Sequence, residues 1–171
     1  MPSLSLHSPF GDLTLHAEGR ALVALDWGWG GQIDRSSVTD EKDAIDTEIL
    51  ETAKRQLDAY FDGDHRNFDL PLAPSGTPHQ IRVWQALQTV PYGETRTYGD
   101  LAAAIDSGAR PVGTACGKNP IPIIIPCHRI LGANGALGGY SGDGGPETKA
   151  ALLRLEGIDI EPTHQQRKLP L

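Results

Sequence analysis

At 171 residues, with 39% hydrophobic and 6% aromatic residues, the chain has the composition of a water-soluble protein of one or two small domains. No apolar run approaches the ~20 residues of a membrane span, and residues 1–7 carry neither a basic region nor an apolar signal core. A cytoplasmic location (nuclear in a eukaryote) with no membrane partner is therefore expected. The net charge of −7 argues against nucleic acid only until it is divided. Residues 1–78 hold 6 Lys/Arg against 14 Asp/Glu, and residues 79–156 hold 7 against 6, so the second half remains free to dock on phosphate.

In chain order, residues 4–6 and 13–15 alternate apolar and polar around a Pro-Phe-Gly-Asp turn, which predicts a hairpin. Residues 21–27 (ALVALDW) predict a third strand. Gly28, Gly30 and Gly31 lack the Lys-Ser/Thr of a phosphate loop and read as a flexible loop. Ile45, Ile49, Ala53, Leu57 and Tyr60 recur at helical spacing, predicting a helix over 43–61 capped by Asp40. Phe68, Leu70 and Leu72 alternate as a last strand, and residues 72–78 read as a linker. Nothing in residues 1–73 carries chemistry, so this first α/β domain is assigned a structural role.

From His79 the period changes. Ile81, Trp84, Leu87 and Val90 predict a helix that stops at Pro91-Tyr92-Gly93. Thr97 caps a second helix through Ile105, and residues 109–117 form a third after an Asp-Ser-Gly turn. Two short helices across a glycine-containing turn have the pattern of a helix-turn-helix. A glycine-rich loop over 132–145 holds Tyr140 and Ser141, and residues 146–156 predict a last helix with Leu152, Leu153 and Leu155 inward. The expected fold is α/β (α+β): a small antiparallel sheet with a helix, then a mostly helical, winged-helix-like domain over 79–171.

The chemistry concentrates in residues 119–130, NPIPIIIPCHRI. Prolines at 120, 122 and 126 forbid a helix, and isoleucines at 121, 123, 124, 125 and 130 predict an extended run buried on both sides. Such a stiff segment presents one thiol, Cys127, at a defined place. A free thiol needs a lowered pKa or a neighbouring base to react. His128 is adjacent, but neighbours on an extended chain point opposite ways, so a turn after Pro126 or a relaying water is required. Glu156 is placed to orient His128 through its other ring nitrogen, as the acid of a triad. Cys116, among Val112, Ala115 and Gly117, reads as a core thiol. Two cysteines and scattered histidines do not make a zinc set, so no metal is expected.

The motifs VWQAL, VPYGET, TYGDLA, RPVG, NPIPIIIPCHR, GGYSG and LLRLEG, which span residues 81–157 almost continuously, resemble the O6-alkylguanine-DNA alkyltransferases. The resemblance implies that Cys127 accepts an alkyl group from O6 of guanine and keeps it as a thioether, once per chain and without a cofactor. It implies that His128 takes the thiol proton through water, that Glu156 orients His128, and that Asn119 holds the turn placing the cysteine. Tyr98 would donate a hydrogen bond towards the guanine ring, and Arg110 would fill the base stack left by the flipped nucleotide. Pro122 and Tyr140 would wall the pocket, Ser141 would reach O6, and the carbonyls of Cys127 and Ile130 would accept from the exocyclic amine. The implied partner is double-stranded DNA containing alkylated bases, bound by a monomer. The interval from Tyr98 to Arg110 is shorter than in many relatives, and Pro111 follows the arginine.

Two rival readings stand beside this one. A non-catalytic lesion-recognition protein on the same scaffold would lack the cysteine. A cysteine hydrolase would use Cys127, His128 and Glu156, yet no oxyanion hole can be named for it.

Overall fold

The computed structural model describes residues 1–31, 38–138, 140 and 145–160, which divide into two units, Met1–Ser75 and Gly76–Leu171. The first holds an antiparallel sheet in the order β1 (Ser3–Leu6), β2 (Leu13–Glu18) and β3 (Ala21–Trp27), with α1 (Glu41–Phe61) packed on it. Leu4 and Leu6, and Leu13 and Leu15, are buried at the expected spacing of two, but Ser5 and Thr14 between them are buried too, and Leu22 and Leu25 of β3 do not alternate. Asp40 caps α1 by accepting from Asp43 N at 2.8 Å.

The buried stripe of α1 is Asp46, Thr47, Leu50, Ala53, Leu57 and Tyr60, so Ile45 and Ile49 lie at its margin rather than in it. Asp46 turns inward because its carboxylate accepts from Arg20 N at 2.7 Å, closing the β2–β3 turn where Arg20 has φ 69°. The expected strand at 68–72 is reduced to one bridge, Leu22 to Leu72, with Leu22 N donating to Pro71 O and Ala73 N to Leu22 O. Pro71 has no N–H to extend a ladder. Nor is the glycine loop loose where it is described. Gly30 N donates to Ser5 Oγ and Thr14 Oγ1, both at 2.8 Å, and Gly31 N to Ser5 Oγ at 2.9 Å.

The second unit opens with α2 (Pro78–Leu87), whose cap Thr77 forms a reciprocal capping box with Gln80. Its inward face is Val83, Trp84 and Leu87; Val90 is buried beyond the helix, in the turn that follows. Trp84 Nε1 donates to Ala115 O at 2.9 Å, pinning α2 to α4 (Ala109–Gly117). Between them α3 (Tyr98–Ala104) starts at Thr97, where Asp100 completes a second capping box despite its shorter side chain. The α3–α4 turn passes through Asp106 at φ 54°, a left-handed geometry that aspartate tolerates better than most residues.

A pairing that the sequence did not suggest joins β4 (Arg96–Thr97) in parallel to β5 (Ile130–Leu131). This two-residue ladder ties the start of α3 to the chain leaving Cys127. Last comes α5 (Gly145–Leu155), which buries Lys149, Ala150, Leu152 and Leu153 and leaves Leu155 half-buried.

Candidate active site

Residues 119–130 are buried as expected but are not extended. Asn119 Oδ1 accepts from Ile121 N at 3.0 Å and its Nδ2 donates to Ile125 O at 2.8 Å, while Ile125 N donates to Ile121 O at 2.9 Å. The chain therefore loops back on itself, with Ile123 at φ 73°. A β-branched residue there costs about 1–3 kcal/mol, and such strain persists only where its surroundings impose it. The reason lies in the prolines: lacking N–H groups, they cannot take part in a ladder, so Asn119 organises the turn instead.

Cys127, His128 and Arg129 then form one turn of 3-10 helix after Pro126. The alternation that would send Cys127 and His128 to opposite faces is thus broken. Cys127 is 5% exposed and free of any disulfide. Burial pushes its thiol above the usual value, while a hydrogen bond from Asn119 and the charge of Lys149 pull it back. The resting group is a thiol that needs a base.

The adjacent imidazole is fully buried. His128 Nε2 lies 2.7 Å from Glu156 Oε2, whereas Nδ1 is buried with no hydrogen-bond partner among the described residues. Burial, the largest influence, lowers the His128 pKa below 6.5, and Glu156 opposes that shift. The imidazole is neutral at pH 7 and has a lone pair to offer.

Two charged residues that the sequence reading passed over complete the cluster. Lys149 is wholly buried on α5, its Nζ 5.8 Å from the centroid of the Tyr98 ring. Burial brings its pKa down to about 8, with the Cys127 and Cys116 sulfurs acting the other way. The signal was present: Lys149, Leu153 and Glu156 recur at i, i+4 and i+7, placing two charges in line with the apolar stripe of α5, Glu156 just past its end. Arg129, 6% exposed, donates from Nε and Nη2 to Glu156 at 2.8 and 3.0 Å and from Nη1 to Val90 O at 2.8 Å.

The other residues expected around the substrate have distinct settings. Tyr98, the first residue of α3, is half-buried, and burial pushes its pKa up to about 12, so its hydroxyl keeps its proton. Gly138 at φ 70° brings backbone against Tyr98 and Lys149, since a Cβ there would meet Tyr98 Oη at 3.8 Å and Lys149 Nζ at 3.9 Å. Tyr140 is half-buried with an enclosed hydroxyl, and its pKa is likewise raised by burial. Pro122 and Ile130 are buried, Ile130 in β5. Arg110 stands exposed in the first turn of α4, the second helix of the pair. Ser141 lies outside the described residues. Cys116, 6% exposed, is electrostatically coupled to Cys127, and burial pushes its own thiol up to about 12.

A helix pair of the DNA-binding type joined to a buried cysteine, histidine and glutamate defines a class of nucleophilic cysteine proteins on a DNA-binding scaffold. Comparison with known proteins gives the family. Residues 4–74 match the ribonuclease-like domain, and residues 78–158 the DNA binding domain, of 6-O-methylguanine DNA methyltransferase. The constitutive methylated-DNA–protein-cysteine methyltransferase of Bacillus subtilis is 42% identical over 156 residues, 90% of this chain and 94% of that protein. The Methanosarcina acetivorans protein of the same name is 44% identical over 155 residues, 88% of this chain and 94% of that one. A Mycobacterium tuberculosis OGT crystal structure in complex with DNA superposes with TM-score 0.75 at 44% identity, covering 91% of this chain and 92% of that one. The chain belongs to the 6-O-methylguanine DNA methyltransferase family.

Proposed function

We propose that the protein repairs O6-alkylguanine in DNA by moving the alkyl group irreversibly onto Cys127. What carries this reading is the buried Cys127–His128–Glu156 constellation in a chain of this family. Because Cys127 is only 5% exposed, a base held in the stack cannot bring its O6-alkyl carbon to the sulfur and must first leave the duplex, at a cost of about a few kcal/mol. Arg110, exposed on the second helix of the pair, takes the space left behind.

His128 Nδ1 accepts the Cys127 proton through one water, and the charge of Lys149 favours the thiolate formed. The sulfur attacks the alkyl carbon; the S–C bond forms as the C–O bond breaks, and its electron pair passes to guanine. Tyr98, kept protonated by burial, donates a hydrogen bond to the ring that receives this charge. The proton given up by the thiol returns to guanine, so thiol plus alkylguanine becomes thioether plus guanine. Asn119 holds the turn, Pro122 and Tyr140 wall the pocket, and the carbonyls of Cys127 and Ile130 accept from the exocyclic amine. A thioether is not hydrolysed, so each chain acts once, as a cytoplasmic monomer that needs no cofactor. O4-methylthymine, with the same alkyl-oxygen chemistry, is a second substrate.

Incubation with duplex DNA containing O6-methylguanine is expected to add one methyl group to the peptide bearing Cys127, as read by intact and peptide mass spectrometry. Repeated turnover, or removal of the methyl group by Cys127→Ala protein, would overturn the reading. A protein that binds the lesion but leaves Cys127 unmodified would be the recognition protein of the rival reading.

A further inference from the structure

The Glu156 carboxylate is held by more than the histidine. It accepts from His128 Nε2 at 2.7 Å, Arg129 Nε at 2.8 Å, Arg129 Nη2 at 3.0 Å and Gly93 N at 3.1 Å. These four donors match the lone-pair sites of an ionised carboxylate. A protonated Glu156 would set an O–H against one of them. Arg129 is itself clamped, with Nη1 on Val90 O at 2.8 Å, its guanidinium 5.8 Å from the Tyr92 ring centroid, and its backbone N on Pro126 O at 3.0 Å. Its bidentate fork cannot rotate away from Glu156 without breaking these contacts.

An imidazole facing a carboxylate has two neutral arrangements. If Glu156 is ionised, His128 must carry its proton on Nε2 and leave Nδ1 as an acceptor. If Glu156 is protonated, it donates to Nε2, and the histidine proton moves to Nδ1. Only the first leaves a base at the nitrogen whose lone pair remains unused among the described residues.

We propose that Arg129 is a positioning residue that fixes His128 as the Nε2–H tautomer by keeping Glu156 ionised, so that Nδ1 can take the Cys127 proton. The inference rests on the proposed role of His128 as base. Among the described residues, the charged and titratable groups near His128 are Lys149 from α5, Glu156 just past its end, and Arg129 and Cys127 from its own turn, with the Tyr92 phenol of the α2–β4 connection against Arg129. Lys149 bears on the sulfur as well as on His128, whereas Arg129 donates two hydrogen bonds to Glu156, at 2.8 and 3.0 Å. Arg129 and Lys149 both hold His128 towards its neutral form, against Glu156.

Nitrogen NMR of the full-length protein, labelled at histidine, reads the tautomer directly. Wild-type His128 is expected to show a proton-bearing Nε2 and a bare Nδ1 at pH 7.5; a proton on Nδ1 would overturn the proposal without any variant. In Arg129→Met the Nδ1 signal should shift towards the protonated type, and alkyl transfer from free O6-benzylguanine should slow about 100-fold. Arg129→Lys keeps the charge but not the bidentate fork, so it should retain the tautomer and lose less transfer than Arg129→Met. Should Arg129→Met keep the wild-type tautomer and pH profile, or Arg129→Lys lose the tautomer, charge on Arg129 is not the determinant and the proposal fails. Failure of wild-type protein to transfer alkyl groups would instead refute the base role, whatever the NMR shows.

Discussion

The two units treat buried polar groups in opposite ways. In Met1–Ser75 they serve the chain's own geometry: Ser5 and Thr14 bond each other at 2.7 Å and receive the glycine loop, and Asp46 closes a turn. In Gly76–Leu171 a cysteine, a histidine, an arginine, a lysine and a glutamate are all nearly or fully buried together. Ionisable groups withdrawn from water cost stability unless each is matched. The first unit spends its polar contacts on folding, whereas the second retains costly charges where a reaction can use them. Among the described residues, the buried ionisable cluster lies in the near-neutral half.

That contrast can be broken most directly at the sulfur. Cys127→Ser is expected to lose all measurable alkyl transfer while keeping the fold, with mass spectrometry and circular dichroism as the two readouts. Glu156→Leu comes next, because it leaves Arg129 and His128 buried without their carboxylate. A stability loss of about 3–5 kcal/mol in urea unfolding is expected, and residual transfer should fall about 100-fold or more. Retention of wild-type stability would mean that the cluster is not a matched set.

Lys149→Met should separate the two demands. The lysine pKa falls from 10.5 to about 8, which corresponds to roughly 3 kcal/mol of burial cost at neutral pH. Methionine should therefore raise the urea midpoint, while transfer slows about 10- to 100-fold because a cation near the sulfur is gone. The sign with pH follows for this group: relative to Lys149→Met, wild-type stability should rise from pH 8 to 10.5, because the unfolded chain keeps a lysine proton that the folded one has lost. His128 acts likewise at lower pH. Its folded pKa lies below 6.5, so stability is lost as pH falls below 6.5, while transfer falls only at the lower pH where the folded imidazole itself becomes protonated.

Arg110→Ala should slow repair of duplex about tenfold or more but leave reaction with free O6-benzylguanine unchanged, because only a stacked base needs replacing. Equal losses would reject the base-replacing role. The smallest effect belongs to the first unit. Glu48→Lys, on the exposed face of α1, should change stability by no more than about 0.5 kcal/mol and leave transfer from the free base unaltered.

Much of this protein follows from residue order alone. Hydrophobic spacing, capping residues and glycine turns are local properties, and they specified β1 to β3, the caps Asp40 and Thr97 and the bounds of α4. The motif around Cys127 singled out the nucleophile, and the family followed from it. Tertiary structure decided what local rules cannot see. Asn119 folds an isoleucine run that reads as extended into a loop, because hydrogen bonds across six residues outweigh β propensity in a segment rich in proline. Arg129 and Lys149 become part of the site only when α5 packs against the Cys127 turn, since the energy of a buried charge depends on neighbours distant in sequence.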